Sequence, residues 1–188
     1  MRNDSSKGKW KTLTSEVIYK NSYFGLRVDK CEMFDGRVMP KYFVVDFPDW
    51  VQVVALTPDK QIILVNQYRY PGEGWFVEFP GGTTHPSRTE DPLLAAKREL
   101  REETGYISEE WSYIGFHYPN PALLNNKSHI YLAKNCIIQG EKELDQFEVL
   151  DVLTIPVRDF ESKIMAPGKS HSLMLATYAM IREIVNSI

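Results

Sequence analysis

The stretch Ala95–Tyr106, AAKRELREETGY, decides how the chain is read. Its residues are mostly strong helix formers. Asp91 and Pro92 stand upstream as an N-cap and a first-turn proline, and Gly105 stands where a helix would stop. The spacing predicts a helix over 92–104. Each residue advances about 100° around the axis, which stacks Glu99 over Glu103 and puts Glu102 on the adjoining strip. Leu93, Ala96 and Leu100 form an apolar stripe on the neighbouring face, so the carboxylates border the buried seam. Like charges four residues apart cost even an isolated helix roughly 0.2–0.5 kcal/mol, and partial burial adds to that. Arg98, four residues before Glu102, can hold it by a charge-assisted hydrogen bond, but one arginine does not neutralise three carboxylates. An arbitrary run of this kind is most often a solvated acidic face. Here it abuts the seam and follows a PGG turn at Pro80–Gly82. That placement points to compensation by a hard divalent cation, which prefers oxygen ligands.

Outward from this helix the chain reads as strands. Before it come EVIYK from Glu16, FGLRVDKCEMF from Phe24 and KYFVVDF from Lys41, with Asp35-Gly36 as a hairpin turn between the last two. WVQVVAL from Trp50 and QIILVNQY from Gln61 flank the turn TPDK, and their near-continuous apolar runs suit central strands covered on both faces. WFVEF from Trp75 leads into PGG, and TTHPSRTED forms the loop into the helix. After the helix, WSYIGFHY, SHIYLA and FEVLDVLTIP read as further strands, and SLMLATYAMIREIVNSI as a closing amphipathic helix. The first ten residues read as a mobile tail. Strands on either side of one helix, with a second helix at the end, imply an α+β fold with a mixed sheet between helices.

At 188 residues the chain is long enough for one cored domain with a small appended element. A formal net charge of −3 gives no reason to expect nucleic acid or an anionic membrane as a partner. No apolar run reaches the roughly 18 residues of a spanning helix, and the polar start MRNDSSKGKW lacks a secretory signal, so a cytoplasmic location is the default expectation. Cys31 and Cys136 form neither a disulfide framework nor a zinc spacing. No Ser-His-Asp or catalytic-cysteine pattern is visible, and His85, His117, His129 and His171 are scattered as structural or surface residues would be.

The run GGTTHPSRTEDPLLAAKRELREETGY, Gly81–Tyr106, resembles the Nudix box: a glycine, a spacer, a glutamate, seven residues, then Arg-Glu-aliphatic-x-Glu-Glu-x-Gly-aliphatic. Glu90, Arg98, Glu99, Leu100, Glu102, Glu103 and Gly105 fill its places, with Tyr106 in the last hydrophobic one. The spacer from Gly82 to Glu90 is two residues longer than usual, which implies a longer loop into the helix. Beyond the box, VVALTPDKQIILVNQYRYP, FVEFPGG, YPNPALLNN and FEVLDVLTIPVRDF are similar to the ADP-ribose and nucleoside-diphosphate-sugar pyrophosphatase branch.

The resemblance implies a Nudix-type α/β/α sandwich over 48–188 and an N-terminal antiparallel β segment over 1–47 that pairs two subunits into a homodimer. It implies magnesium, with manganese as a substitute, held by the Gly81 carbonyl, Glu99, Glu102 and Glu103. Arg98 would orient the glutamates, and Gly82 would allow the turn into the helix. Arg69, Phe24 and Pro121 would touch substrate, Arg69 at the phosphates and Phe24 at the base. Tyr23, Trp50, Trp75 and Tyr118 are further aromatic candidates for the base. Glu148 would serve as ligand or general base. Some relatives carry an acid two residues earlier, where this chain has Gln146, so Asp145, Glu143 and Asp151 stand as neighbouring alternatives. The implied reaction is hydrolysis of the pyrophosphate bond of ADP-ribose or a related nucleoside diphosphate sugar by a metal-activated water. A nucleoside monophosphate and a sugar phosphate would result. The same chemistry on a dinucleotide, a dinucleoside polyphosphate or GDP-mannose is the alternative, and a non-catalytic binding protein of this fold is a third. The intact Glu99, Glu102 and Glu103 disfavour that third reading.

Overall fold

A computed structural model describes residues 8–85, 90–165 and 170–187. Most of the expected N-terminal tail, residues 1–7, lies outside them, as does the middle of the box loop, residues 86–89. The chain divides into two units, Met1–Pro48 with Asn120–Asn126, and Asp49–Pro119 with Lys127–Ile188.

The first unit is an antiparallel three-stranded sheet of β1 (Lys11–Lys20), β2 (Gly25–Glu32) and β3 (Val38–Asp46), with β2 central. The β2–β3 connection turns at Asp35-Gly36, where Gly36 adopts φ +84°, a left-handed conformation that favours glycine. Here β1 begins at Lys11, five residues before the expected EVIYK. Every residue of β1 is exposed, so no buried-face alternation marks its start in the sequence; pairing to β2 holds it, from Lys11 opposite Glu32 to Lys20 opposite Gly25. The buried Asp29 accepts hydrogen bonds from Ser15 and Arg27, and Arg27 reaches on to Asp46 at 3.0 Å. Asn120–Asn126 returns to this sheet through the Val45 amide, which donates to the Leu123 carbonyl at 2.9 Å, and the Tyr42 hydroxyl, which donates to Ala122 at 3.1 Å.

The second unit carries a mixed seven-stranded sheet. Its path runs through β12 (Leu150–Pro156), β5 (Gln61–Arg69), β4 (Trp50–Leu56), β10 (Ser128–Lys134) and β9 (Glu110–His117). The short β6 (Gly74–Glu78) pairs with β5, and β7 (Gly81–Thr83) pairs with β4. Only β4 and β10 are parallel; the other pairings in this sheet are antiparallel. A separate two-stranded ladder joins β8 (Tyr106–Ile107) to β11 (Ile137–Ile138).

Side chains alternate across the sheet, and each face has its own core. On one face α1 (Pro92–Thr104) lays Ala95, Ala96 and Leu100 on Val51, Val53, Ile63, Tyr131 and Ala133. On the other, α2 (Phe160–Ile164) and α3 (Ser172–Asn186) bury Phe160, Ile164, Met174, Tyr178 and Ile181 against Val54, Leu56, Ile62, Leu64 and Leu132. This is the expected α+β architecture, a mixed sheet sandwiched between helices. The helix seam shifts slightly from expectation: Ala95 is fully buried and Leu93 only partly so. Two alanines on the seam let α1 lie close to the sheet.

Candidate active site

The site grows from the start and the flank of α1. The Asp91 side chain accepts a hydrogen bond from the Leu93 amide at 2.7 Å, and Pro92 occupies the first turn, so the N-terminus is capped as the sequence predicts. At the other end Gly105 takes φ +74° and its amide closes on the Arg101 carbonyl at 2.8 Å. Between these caps the helix turns Glu99 and Glu103 towards β7, with Glu102 on the adjoining strip. A Cβ at Gly82 would collide with the Glu99 carboxylate, and one at Gly81 with the Val51 carbonyl. Gly81 is therefore glycine because the β4 backbone crowds it, and Gly82 leaves room for the Glu99 carboxylate.

Arg98 is the hub. Its Nη1 donates to Glu99 Oε1 and to Glu102 Oε2, both at 2.9 Å, its Nε to Glu90 Oε1 at 3.2 Å, and its Nη2 to the Thr83 carbonyl at 3.0 Å. Partial burial works against the Arg98 charge, but Glu90, Glu99 and Glu102 outweigh it and raise its pKa. Glu90 also braces the loop, since its Oε2 accepts the His85 amide at 2.7 Å and so ties the near end of the longer box loop to the helix.

The three glutamates of the helix are not equivalent. Glu103 is 3% exposed, and its Oε2 accepts the Gly81 amide at 2.8 Å. Burial, with the charges of Glu99 and Glu148 adding to it, pushes its carboxyl up to about 9 against the Gly81 hydrogen bond and Arg69. Glu99 is also raised by burial, to about 7, with Arg98 opposing. Glu102 turns outward to Arg98, and to Arg101 at 3.4 Å. Among the described residues no group of three or more His, Cys, Asp or Glu side chains is spaced to hold a metal ion. Glu102 faces its arginines, and one oxygen of Glu103 is occupied by Gly81. Gly81 itself meets Glu103 through its amide.

Glu148 comes to the same place from the far end of the chain. β12 pairs with β5 so that Leu150 lies opposite Gln67, and Gln67 Nε2 then donates to Glu148 Oε1 at 3.4 Å. The Asp145 amide lies 3.4 Å from Glu148 Oε2, and the Glu148 amide donates to the Asp145 carbonyl at 3.0 Å. The negative charge of Glu148 adds to the raised pKa of both Glu99 and Glu103, which puts it electrostatically in their company. Of its neighbours, Glu143 is paired with Arg101 at 2.8 Å. Asp151 stands opposite Asn66, one residue out of phase with Gln67 and so on the other face of the sheet.

Arg69 joins the cluster through β5, two residues beyond Gln67 on the same face. Its guanidinium lies side-on to Glu78, with Nε–Oε1 at 2.9 Å and Nη2–Oε2 at 2.5 Å. Glu78, buried on β6, and Gln67 are site residues that sequence reasoning missed. The signal available was a lone acid inside the apolar run WFVEF.

Phe24 and Pro121 belong to the first unit. Phe24 stacks on Phe47 at 5.7 Å between centroids and lies 5.5 Å from Tyr19; Pro121 is exposed in the segment that returns to β3. Tyr23 is exposed in the first unit. In the second, Trp75 meets Tyr68 edge-on and Tyr118 meets Phe116 edge-on.

Residues 47–175 match the family described as "NUDIX domain", and residues 10–45 match "Nucleoside diphosphate sugar hydrolase N-terminal domain". The chain is 33% identical over 150 residues to an ADP-ribose pyrophosphatase of Bacillus subtilis (strain 168), covering 79% of this chain and 80% of that one. It is 34% identical over 149 residues to a methanol dehydrogenase activator of Bacillus methanolicus, covering 77% of each. A crystal structure of an ADP compounds hydrolase superposes with a TM-score of 0.81 at 21% identity, over 96% of both chains, and shares the fold. The matched family covers more than half of the chain, and the arginine-centred glutamate helix beside a PGG turn lies inside the matched span: this protein belongs to the Nudix hydrolase family.

Proposed function

We propose that the protein hydrolyses the pyrophosphate bond of ADP-ribose or a related nucleoside diphosphate sugar, with magnesium as cofactor, releasing a nucleoside monophosphate and a sugar phosphate. The observation that carries the reading is the pair of carboxyls one helical turn apart, half-buried Glu99 raised to about 7 and buried Glu103 raised to about 9, of which only Glu99 is bonded to Arg98. Such groups take up protons unless another positive charge is supplied. Their donor atoms are hard oxygens, which suit magnesium and not a thiophilic ion. Glu99 and Glu103 would hold the ion, with Glu102 and the Gly81 carbonyl completing the set once Glu102 leaves its arginines. When bound, magnesium would screen the anionic bridge and make a water more acidic.

The rest of the chemistry falls to side chains of the chain. Arg69 binds the substrate's phosphates. Arg98, bonded to Glu90 and Glu99, orients the Glu99 carboxylate. Glu148, held by Gln67 and the Asp145 amide, takes the proton of the attacking water. Phe24 and Pro121 enter as substrate contacts on the family resemblance alone.

The names of relatives support the substrate class: ADP-ribose pyrophosphatases of Bacillus subtilis and Mycobacterium tuberculosis are 33% and 31% identical to this chain. We further read the protein as a homodimer joined through the first unit, where β1 is an exposed edge strand carrying Leu13, Val17 and Tyr19 to solvent. A cytoplasmic setting completes the proposal; among the described residues no helix is long and apolar enough to cross a membrane. The test is a panel of ADP-ribose, other nucleotide sugars, NADH and dinucleoside polyphosphates, each with magnesium and with products identified by mass. Turnover of none of them would overturn the reading.

A further inference from the structure

The Arg69–Glu78 pair carries an inference of its own. The two strands are in register with Arg69 opposite Gly74 and Glu78 opposite Val65, so both side chains project from the face that bears α1. The Glu78 side chain is 11% exposed and that of Arg69 48%. Glu78 takes Nε and Nη2, and Nη1 makes no hydrogen bond among the described residues. The hydrogen bond to Glu78 raises the Arg69 pKa, and charge from Glu103 and Glu148 adds to it. The same guanidinium is therefore bonded to the buried Glu78 and lies within the field of Glu103 and Glu148.

Behind Glu78 lies His171. Its Nε2 is 3.8 Å from Glu78 Oε1, buried, and without a hydrogen-bond partner among the described residues, and its ring meets Phe76 edge-on. Burial lowers the imidazole pKa, so His171 is neutral at pH 7 and leaves the charge of Glu78 to Arg69. Glu78 holds the guanidinium at two points, and a long, flexible arginine fixed in advance loses less freedom when it meets its ligand.

We propose that Glu78 is a positioning residue: it clamps Arg69 through Nε and Nη2 and so keeps Nη1 turned to the substrate's phosphates. The inference rests on the reading of Arg69 as a phosphate contact. It is tested with the full-length chain by calorimetric titration of the methylene-bridged, non-hydrolysable analogue of ADP-ribose in magnesium, together with steady-state kinetics. The proteins are wild type, Arg69→Ala, Glu78→Gln and the double variant. Each single change is expected to weaken analogue binding and raise KM by roughly tenfold while kcat moves at most about threefold. The double variant is expected to bind no more weakly than Arg69→Ala, because Glu78 acts only through Arg69. Arg69→Lys keeps the charge but lacks the fork, and should match Glu78→Gln; it decides the matter if Glu78→Gln does not fold. Wild-type binding by Glu78→Gln, or losses that multiply in the double variant, would overturn the proposal while leaving the hydrolase reading intact. Non-multiplying losses in binding with no turnover of any substrate would support the clamp and sink the hydrolase reading alone. An Arg69→Ala variant that binds like wild type would remove both the phosphate contact and the clamp.

Discussion

Replacing Glu103 by glutamine should change the stability of the protein in a way that reverses with pH. The folded protein holds the Glu103 proton up to about pH 9, against 4.5 for an ordinary glutamate. A folded state that binds a proton more tightly is most favoured below pH 4.5, and that advantage is lost as pH climbs from 4.5 towards 9. At pH 8 the gap from 4.5 is about 3.5 pKa units, and at about 1.36 kcal/mol per unit it costs the metal-free protein about 5 kcal/mol. Glutamine has no ionisation to suppress. Its carbonyl can keep the Gly81 amide bond, but its NH2 group is left buried without an acceptor, at about 1–3 kcal/mol. Glu103→Gln should therefore be less stable than wild type near pH 5 by about 0–2 kcal/mol and more stable near pH 8 by about 2–4 kcal/mol. Urea titrations without metal, from pH 5 to 8, read the difference directly. Adding magnesium at pH 8 should raise the wild-type midpoint and leave that of the variant nearly unmoved, since metal ligands must be deprotonated. A difference between variant and wild type that stays constant from pH 5 to 8 would refute the account of Glu103 as a desolvated carboxyl awaiting a cation.

Further outcomes follow from the same geometry. Glu103→Gln should also lose nearly all turnover while keeping its circular dichroism spectrum; a variant that stays active in magnesium would remove Glu103 from the metal set. Arg69→Ala should raise KM by roughly tenfold with little change in kcat, and an unchanged KM would count against the phosphate contact. Glu148→Gln should lower kcat by roughly 10²–10⁴-fold with KM nearly unchanged; wild-type kcat would pass the base role to a neighbour, with Asp145 first in line. Sedimentation equilibrium should give a dimer mass, and a proline at Val17 in the exposed edge strand should shift it towards monomer; a monomeric wild type would end the dimer proposal.

Much of the scaffold was legible in the residue pattern. The helix over 92–104 could be read to the residue because its determinants are local: Asp91, Pro92 and Gly105 each act within a turn of themselves. The sandwich followed from two kinds of apolar pattern, the long runs of β4 and β5 and the stripes of α1 and α3. The start of β1 was not legible, because a strand exposed along its whole length carries no alternation. The shift of the α1 seam onto Ala95 also escaped pattern reading, since alanine weighs little in a hydrophobic stripe.

The sequence by itself determined that Glu99, Glu102 and Glu103 share one flank of one helix beside a glycine turn, since helical spacing leaves no other arrangement. Only the tertiary structure decided what each carboxylate meets. The β5–β6 register sets Arg69 against Glu78, nine residues away, and the β12–β5 register sets Glu148 against Gln67, across 81. Burial then separates Glu103, raised to about 9, from Glu102, which rests on Arg98 and Arg101. Spacing along a chain fixes direction within one element. Strand register and desolvation belong to pairs of elements, and no local pattern carries them.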